Sequence, residues 1–591
     1  MKLLSILCFF TFIFSQCEYD IGDTNDDNIL NVIDIIYIIN VIISEEQEFD
    51  QNIDLDFNQI INISDIIVLV NRIIDDSVNI TSINNISFDF NELNVSWIKS
   101  LDYGFDKYQL YYSDILNDNN IIIYTTSTIH DTSVVLNNII LSEQNWFSVS
   151  VTDFMGCELI SEEIYYELPF KEYETDNLGN VIDAIFNHED FSSAQNCQGC
   201  HEQHYNEWSE SMHSYTMHSP IFFSYRNQTI EEHPDVGEMF CIQCHNPIAY
   251  LTNTSFDQFL TVEEFQNSDL PNVIKEGISC DVCHTATNVT QTVFTNNTGS
   301  ASALYKLFPG ENIKFGPIEN PEENNYHDSY YLPTYESSQM CLPCHDLVIR
   351  DVEAEITFTE WDRIPGFSMF GGVSCQECHM PEKEDGTHDH SFIGVDIDLA
   401  IPLIDNPLYD KVNEMLNSAV IMEFDIWNTI LPDTINSNDS LLIPLTIESL
   451  TAHSIPTGTS FNREVWVEII VSKEDSLIYT SGYIENNIQE LNYSDDNLLI
   501  FKSYLLDENN DTTQSVIDAY DIINNSLPAY SQRFSYYNVF IPNYISGNIE
   551  VSARMLFRPF DPQFINQHNQ EFIENLPVYE MFSINKQIYV Q

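Results

Sequence analysis

The chain has 591 residues, of which 92 are acidic and only 20 are basic, so its formal net charge is −72 at pH 7. This length exceeds that of a single domain, and we expect several. A surface so acidic repels nucleic acids and anionic lipids, which argues against both as partners.

The first residues predict export. Met1–Gln16 begins with a positive charge at Lys2, and Leu3–Phe14 is a largely apolar run. Such a segment is typical of a secretory signal and is too short to cross a bilayer as a helix. No later stretch is long and apolar enough, so we expect no transmembrane segment and a periplasmic, extracellular or cell-surface protein. Cys17 could be lipidated, pair with Cys157 or stay free.

Residues 17–78 contain a duplication with an offset of 31 residues. Each copy places donor residues at positions 1, 3, 5, 7 and 12 of a calcium loop. The first set is Asp23, Asn25, Asp27, Ile29 and Asp34, and the second is Asp54, Asp56, Asn58, Ile60 and Asp65. The loops run into two predicted helices, Val32–Ile43 and Ile63–Ile74. Side-chain oxygens and the position-7 carbonyl could together hold up to two Ca²⁺ ions.

This duplication resembles a dockerin module, which implies docking to a cohesin-like or surface-scaffold partner. Asn28 and Gln59 occupy the sixth loop position, where the calcium loop prefers glycine, although Asn tolerates the required turn. An acidic helical hairpin without metal and an N-terminal stabilising module remain alternatives.

Residues 79–170 predict a β-sandwich. Short segments with alternating or aromatic character recur at regular spacing. They are Ile86–Phe90, Leu93–Ile98, Tyr108–Ser113, Ile121–Thr126, Ser133–Leu136, Trp146–Asp153 and Ile160–Leu168. Together they resemble a fibronectin type III sandwich. We expect Trp97 and Tyr108 in its core, and the domain to be a spacer or binding module.

Residues 185–395 contain one pattern, Cys-x-x-Cys-His, five times. The copies are Cys197, Cys200 and His201; Cys241, Cys244 and His245; Cys280, Cys283 and His284; Cys341, Cys344 and His345; and Cys375, Cys378 and His379. This is the attachment pattern of c-type haem, in which both thiols bond the macrocycle and the histidine binds the iron. Zinc sites also use Cys-x-x-Cys, but the histidine in every copy favours haem. We predict five covalent haems, on a mostly helical or irregular fold.

Five six-coordinate haems would need five distal ligands. The candidates are His213, His218, His327, His388, His390 and His453. Surface exposure or hydrogen bonding to haem propionates is the alternative for each, and we expect it for His188, His204 and His233. Met212, Met217 and Met380 are possible sulfur ligands. His453 lies far from the motifs and could either cap a haem or order the C-terminal region against the haem region.

Residues 396–591 lack cysteine and predict a second sandwich. Its predicted strands are Leu441–Ser449, Glu464–Ser472, Leu477–Ile484, Leu498–Asp507, Arg533–Ile541 and Asn548–Phe557. A helix at about 408–420 would connect it to the haem region. The whole chain is therefore a multidomain protein with a small α calcium-loop module, a β-sandwich, a haem region and a C-terminal β-sandwich.

The haem region resembles a multihaem cytochrome c family that includes the tetrahaem electron-acceptor partner of hydroxylamine oxidoreductase. The stretches that carry the likeness include Cys197–His201 with Met212-His213, Cys241–Pro247, Glu276–His284, Lys314–Pro317 with His327, Ser338–Asp346, Cys375–Pro381 with His390, Ala452–Gly458, and Phe557–Phe560. The resemblance implies that His213, His327 and His390 are distal ligands. Because this chain has five motifs rather than four or eight, individual ligand pairings do not transfer.

These features favour an exported electron carrier that exchanges electrons with redox partner proteins. In that reading, the protein sets haem spacing and potential, and no catalytic residue is needed. An oxidoreductase acting on a small nitrogen or sulfur compound at one open haem is the alternative. An interaction role for the N-terminal modules is compatible with either.

Overall fold

A computed structural model describes most of the chain. The described residues are 22–25, 27, 29–44, 53–56, 58–74, 81–88, 92–100, 105–114, 116, 121–137, 141, 145–153, 158–166, 186–234, 236, 238–290, 304–310, 312–322, 324–366 and 372–591. The predicted signal, Cys17, Asn28 and Cys157 lie outside them. The chain divides into two compact units, Met1–Pro169 and Phe170–Gln591. In the described part, no helix has the length and apolar character needed to cross a membrane.

The first unit begins with helices α1, Val32–Ile43, and α2, Ile63–Ile74, and both predicted ranges are confirmed. Asn31 caps α1, because its side chain accepts from the Ile33 amide. In turn, the Asn31 backbone amide donates to the Asp34 carboxylate, which completes a capping box. Buried aliphatic side chains from the loops and helices form a small shared core. The two halves therefore pack as one hairpin module.

The rest of the first unit is a pair of antiparallel sheets. Its strands are β1 Ile83–Phe88, β2 Glu92–Trp97, β3 Phe105–Ser113, β4 Ile121–Thr126, β5 Ser133–Asn137, β6 Asn145–Asp153, β7 Glu158–Ile160 and β8 Ile164–Tyr166. One sheet has the order β1-β2-β5, and the other has β4-β3-β6-β7 with β8 also on β6. Trp97 and Tyr108 are buried with their rings 5.6 Å apart, which confirms their core assignment.

The predicted strand Ile160–Leu168 is divided into β7 and β8. Ser161 stands at the break, where its amide donates to the Val149 carbonyl and its hydroxyl accepts from the Val149 amide. A side chain thus replaces a backbone acceptor in the ladder and interrupts the strand.

The second unit starts with short helices. They are α3 Ala194–Gln198, α4 Glu202–Glu210, α5 Met212–Tyr215, α6 Pro220–Glu232, α7 Met239–His245, α8 Pro247–Leu251, α9 Val262–Gln266, α10 Asn272–Lys275, α11 Cys280–His284, α12 Thr357–Asp362 and α13 Cys375–His379. Single 3₁₀ turns occur at His188–Asp190, Pro333–Glu336 and Ser338–Cys341. Aromatic and aliphatic side chains from these elements form one buried cluster.

Short strand pairs also occur between the third and fourth motifs and between the fourth and fifth, where the sequence predicted mostly short helices and loops. The strands are β9 Ala286–Thr290, β10 Leu304–Leu307, β11 Ile313–Gly316, β12 Asp328–Tyr331, β13 Leu347–Ile349 and β14 Val352–Glu355. Pairs β9–β10 and β13–β14 are antiparallel, whereas β11–β12 is parallel. Strand β12 directly follows His327, so this ladder fixes the direction in which the chain leaves that residue.

The C-terminal part is a sheet sandwich with two helices. Its strands are β15 Val420–Glu423, β16 Asp425–Ile426, β17 Thr429–Ile430, β18 Thr434–Ile435, β19 Ser440–Ser449, β20 Glu464–Lys473, β21 Ser476–Ser481, β22 Leu499–Phe501, β23 Ser503–Leu506, β24 Thr512–Thr513, β25 Asp521–Asn524, β26 Gln532–Phe540, β27 Gly547–Arg558 and β28 Tyr579–Val590. The helices are α14 Tyr409–Asn417 and α15 Pro562–Asn569, with 3₁₀ turns at Leu403–Asp405 and Gln570–Asn575. The sheets β15-β19-β26 and β18-β28-β27-β20-β21 enclose the main core.

The predicted strands of this sandwich are largely confirmed, with two changes. The predicted Leu498–Asp507 strand is split at Lys502, whose ammonium group turns to Asp561 at 3.0 Å. The long strand β28, Tyr579–Val590, and the short strands β15 to β18, β24 and β25 were not predicted. The core of this sandwich also receives Met212, Ile221 and Tyr225 from the haem region, so the two parts of the second unit pack directly together.

Candidate functional site

The five cysteine–histidine motifs lie on tight turns of helix. Helices α7, α11 and α13 end at His245, His284 and His379. In the first and fourth motifs, the histidine amide donates to the carbonyl of the first cysteine, at 2.9 Å for His201 and 3.0 Å for His345. In each motif, this turn brings both thiols and the imidazole close together. This arrangement fits a macrocycle bonded at one edge and ligated at its centre.

Four motif histidines face a second imidazole. The ring centres are 6.3 Å apart for His201 and His327, for His284 and His390, and for His379 and His453. They are 6.4 Å apart for His345 and His213. With metal–nitrogen bonds of about 2 Å, two imidazoles on opposite sides of one iron have ring centres roughly 6 Å apart. The residues present therefore fit iron held between paired histidines.

Backbone carbonyls orient several of these rings. The Nδ1 atom of His284 lies 2.7 Å from the Phe315 carbonyl oxygen, and that of His379 lies 2.6 Å from the Ile393 oxygen. Among the opposing rings, His390 Nδ1 lies 2.9 Å from the His388 oxygen and His453 Nδ1 lies 3.1 Å from the Ser454 oxygen. Because a carbonyl only accepts, Nδ1 must carry the proton, which leaves the Nε2 lone pair for a metal.

Burial keeps three of the opposing imidazoles, those of His213, His390 and His453, neutral. It lowers the pKa of His213 to about 3 and that of His390 and His453 to about 4. Each value lies well below the ordinary value for histidine, because a buried imidazolium loses its hydration. A neutral ring is the form that ligates iron, so these three side chains are ready to bind metal at neutral pH.

His213 is positioned by a close approach of two chain segments. Its carbonyl accepts from the Ile278 amide at 3.2 Å, and the Trp208 indole donates to the Ile278 carbonyl at 2.8 Å. Gly277 has φ +71, and a Cβ there would lie 2.9 Å from the His213 oxygen. Only glycine fits this conformation without strain. The Glu276–Ile278 segment thus holds α5, and with it the His213 ring, opposite His345.

His453 is brought to the fifth motif by the C-terminal sandwich. The Glu360 carboxylate accepts from the Ser454 amide at 3.0 Å and from the Thr457 hydroxyl at 2.6 Å. Glu360 lies on α12 in the haem region, so one carboxylate ties the loop around His453 to that region. The sequence left open whether His453 caps a haem or orders the C-terminal region against the haem region. The structure fits both alternatives, because His453 faces His379 of the fifth motif and its loop joins the sandwich to the haem region.

His245 of the second motif has a different neighbour. The Phe222 ring stacks on it with centres 4.4 Å apart and planes 21° apart. Among the described residues, no imidazole faces His245 at the separation seen in the four pairs. Phe222 lies on α6, and contact with one face of the imidazole restricts the ring's rotation. The second motif therefore differs from the other four in its surroundings.

The remaining predicted ligands lie elsewhere. His218 is exposed, and partial desolvation of its ring lowers its pKa. His388 Nδ1 lies 2.8 Å from the Met380 carbonyl oxygen. Neither ring faces a second imidazole at about 6 Å within the described residues. Met217 is fully buried in the hydrophobic cluster of the haem region. Their assignment as ligands stays a prediction.

The motifs themselves meet in pairs. The side chain of Cys197 lies beside that of Cys280, and the side chain of Cys341 lies beside that of Cys375. A third thiol contact joins Cys244 to Cys344. These contacts place the first motif beside the third, and the fourth beside both the second and the fifth. Groups attached at neighbouring motifs would lie close together, as electron transfer between them requires.

Tyr335 links motifs that are distant in sequence. Its hydroxyl donates to the Cys283 carbonyl at 2.5 Å and to the Ala286 carbonyl at 2.9 Å. Its ring stacks on His284 with centres 5.8 Å apart. The Gln376 amide of the fifth motif donates to the Tyr335 carbonyl at 3.1 Å. Sequence reasoning missed Tyr335, Phe222 and Glu360, because no local pattern distinguishes them from ordinary core or surface residues.

The two acidic loops of the first unit have inward-facing oxygens. Asp34 Oδ1 and Oδ2 accept from the Thr24 and Asn31 amides at 2.9 Å each. In the second loop, one carboxylate oxygen each from Asp54, Asp56 and Asp65 lies within 4.8 Å of the others. Gln59, at the sixth position, has φ +64. The loop thus adopts the left-handed turn that usually requires glycine.

Charge crowding makes the second loop suited to a cation. Asp54 and Asp65 are buried. The pKa of Asp56 is raised, mainly because its carboxyl is desolvated and also because the charges of Asp65 and Asp54 lie nearby. Like charges this close repel unless a cation or protons separate them. The carboxylate oxygens match the ligands that Ca²⁺ prefers.

Comparisons with known proteins bear on the haem region. Residues 196–285 match the family described as cytochrome c554 and c-prime. No curated protein matches the chain. A penta-haem cytochrome c552 from Thermochromatium tepidum aligns over 68% of this chain and 99% of its own, with 18% identity and a TM-score of 0.48.

Two further solved structures align over shorter stretches. An Fn3-like protein from Clostridium thermocellum has 20% identity and covers 16% of this chain and 96% of its own, with a TM-score of 0.13. The fn3 domain of human contactin 1 has 20% identity and covers 14% of this chain and 74% of its own, with a TM-score of 0.12.

The family match covers the first three motifs and supports a multihaem cytochrome c. It implies covalently bound haem c, which supplies one-electron chemistry when attached. The protein is multidomain, with this cytochrome-like region and several β-sheet regions.

Proposed function

We propose that the protein is an exported cytochrome with five covalent haems and that its function is electron transfer between redox partner proteins. The observation that carries the proposal is the set of four imidazole pairs at 6.3–6.4 Å. Paired neutral histidines hold iron in one geometry in both redox states, which favours rapid exchange of single electrons. The predicted attachment residues are the ten cysteines and five histidines of the motifs.

The ligand roles follow from the pairs. His213, His327, His390 and His453 would bind opposite His345, His201, His284 and His379. The carbonyls at Nδ1 hold several of these rings in place, while contacts between motifs keep neighbouring groups close. Mass spectrometry of the intact holoprotein tests the count, because five haems are expected. Reduction by dithionite and reoxidation by an artificial acceptor should involve all five.

An oxidoreductase is the second candidate, and it rests on the second motif. His245 has Phe222 against its ring and no facing imidazole among the described residues. A haem with one protein ligand could bind a small nitrogen or sulfur compound. Nitrite, hydroxylamine and sulfite should then each perturb the spectrum of about one haem per chain and be turned over with a reduced viologen. If the spectra did not change and no compound was turned over, electron transfer would be the one proposed function that is left.

For the N-terminal unit, the proposal is one calcium ion in each acidic loop and docking to a cohesin-like or surface-scaffold partner. The clustered carboxylates of Asp54, Asp56 and Asp65 support the second ion. A pull-down with a cohesin domain, in Ca²⁺ and in EGTA, tests the docking. Calcium-dependent capture is expected, and equal recovery in both buffers would count against it.

Export is also part of the proposal. Covalent haem attachment takes place outside the cytoplasm, in agreement with the predicted signal at Met1–Gln16. N-terminal sequencing of the mature protein should begin at Cys17, and mass analysis will show whether that cysteine is lipidated. Recovery of holoprotein with Met1 intact would contradict it.

A further inference from the structure

Three side chains with metal-ligating atoms meet where the haem region packs on the C-terminal sandwich. Glu232 ends helix α6, and His233 follows it. Asp518 lies between strands β24 and β25 of the sandwich. One ligand atom from each residue lies within 4.8 Å of the other two. These residues belong to neither the motifs nor the calcium loops.

The geometry of His233 and Asp518 points to a shared third partner. The Nε2 atom of His233 lies 3.2 Å from Asp518 Oδ1. Yet this nitrogen is buried and makes no hydrogen bond, to Asp518 or to any other described group. With metal–ligand bonds of about 2.0–2.1 Å, two ligands of one tetrahedral ion are roughly 3.3 Å apart. The observed separation of 3.2 Å fits two ligands on a common ion as well as it fits an ion pair, and the unbonded Nε2 atom favours the ion.

Local charge favours a cation at this point. Helix α6 has 13 residues, and its C-terminal end carries the negative end of the helix dipole. Glu232 and Asp518 add two carboxylates there. The nearby guanidinium of Arg350 is directed instead to the carbonyls of Ile517 and Ala519. Gln228 donates to Oε1 of Glu232 at 3.0 Å, which leaves the Oε2 atom for a ligand.

The segment that carries Asp518 is held in place by contacts outside the cluster. The Tyr225 hydroxyl donates to the Gln514 carbonyl at 3.0 Å, and Arg350 donates to the Ala519 carbonyl at 2.6 Å. Ile517 is buried against Val236 and Phe240. The carboxylate of Asp518 is thus set against the end of α6 before any ion binds, which lowers the cost of assembling a site.

We propose that Glu232, His233 and Asp518 form a binding site for a divalent transition metal, with Zn²⁺ as the preferred ion. One imidazole and two carboxylates suit zinc, whereas Ca²⁺ and Mg²⁺ prefer oxygen ligands alone. Three protein ligands leave one position for water. The ion joins the haem region to the sandwich, so we expect its binding to stabilise their packing.

Zinc binding to the untagged, full-length holoprotein tests this site. The protein is treated with EDTA, desalted into buffer with excess Ca²⁺ to occupy the acidic loops, incubated with ZnCl₂ and gel-filtered. Zinc is then measured against haem iron by mass spectrometry. One zinc per chain is expected in the wild type, with loss of that zinc in His233→Gln and in Asp518→Asn.

His188→Gln is the matched control, because His188 also pairs with a carboxylate, Glu189 at 3.1 Å, but has no third ligand among the residues that the structure describes. This variant should keep its zinc. A wild type that binds no stoichiometric zinc, or variants at His233 and Asp518 that bind as the wild type does, would overturn the proposal. Thermal unfolding is the second readout: zinc should raise the melting temperature of the wild type and of His188→Gln, but not that of the two site variants.

Discussion

The imidazole of His453 faces that of His379, with ring centres 6.3 Å apart and planes 21° apart. His379 belongs to the fifth motif, whereas His453 lies on a loop of the C-terminal sandwich. The carboxylate of Glu360 fixes that loop through Ser454 and Thr457. The surroundings of the fifth motif therefore depend on how the sandwich packs against the haem region.

Replacing His453 with Ala should remove one of two axial ligands. We expect the number of bis-imidazole haems to fall from four to three, while the intact mass still shows five haems, because thioether attachment does not depend on the distal ligand. Near-infrared magnetic circular dichroism of the oxidised protein measures this number. The same assay on His388→Ala tests that sequence prediction. We expect no change there, because among the described residues His388 faces no second imidazole at the separation of the four pairs. Four bis-imidazole haems in His453→Ala would refute the assignment.

Gly277→Ala should displace His213. The new Cβ would lie 2.2 Å from the Thr216 hydroxyl and 2.9 Å from the His213 carbonyl oxygen, at φ +71. The backbone conformation alone costs about 1–2 kcal/mol. We expect loss of the low-spin signal of one haem and a lower melting temperature. Gly199→Ala is the control, because a Cβ there would meet nothing within 4 Å. Equal behaviour of the two variants would contradict this account of Gly277.

Stability below neutral pH should depend on His568. Burial lowers its pKa, and its ring contacts Phe564 and Tyr225 at 4.5 and 5.5 Å. The unfolded chain then binds a proton near pH 6.5 that the folded protein does not, so stability is lost as the pH falls through this value. In urea unfolding followed by circular dichroism, His568→Gln should lose less stability between pH 7.5 and 5.5 than the wild type. If both proteins lost the same stability between pH 7.5 and 5.5, the burial of His568 would not account for the pH dependence.

Asp65→Asn should remove calcium from the second loop alone. Asp65 is buried and brings its carboxylate to those of Asp54 and Asp56. Isothermal titration of the EGTA-treated holoprotein should give two bound Ca²⁺ in the wild type and one in the variant. Ser64→Ala, a neighbouring change outside the donor set, should keep both. A wild type that binds no Ca²⁺ would identify the module as a metal-free acidic hairpin.

The proposed attachment residues could be predicted from sequence, because the haem-attachment pattern places two thiols and a histidine within five consecutive residues. Distal partners are brought together only by the fold. His213 follows the first motif closely in sequence but faces His345 of the fourth. Likewise, His327 precedes the fourth motif but faces His201 of the first. Proximity along the chain therefore says little about which rings pair.

The secondary structure also divides into elements set by local sequence and elements set by tertiary packing. Helices α1 and α2 were predicted at their observed bounds, since each follows a loop with a fixed donor pattern. Strand β28, Tyr579–Val590, has alternating burial that its sequence also shows, and it could have been predicted. Strands β9 to β14 could not, because they are three to five residues long and are stabilised by packing around the motifs.

The most direct test of the four histidine pairs is low-temperature EPR combined with near-infrared magnetic circular dichroism of the oxidised wild-type holoprotein. With five haems counted by intact mass, the structure predicts four low-spin, bis-imidazole haems and one haem, on the second motif, with a different signal. That fifth signal should be retained when any one of the four distal histidines is replaced. Fewer than four bis-imidazole haems would contradict the assigned pairs, and five would show that His245 also has an imidazole partner.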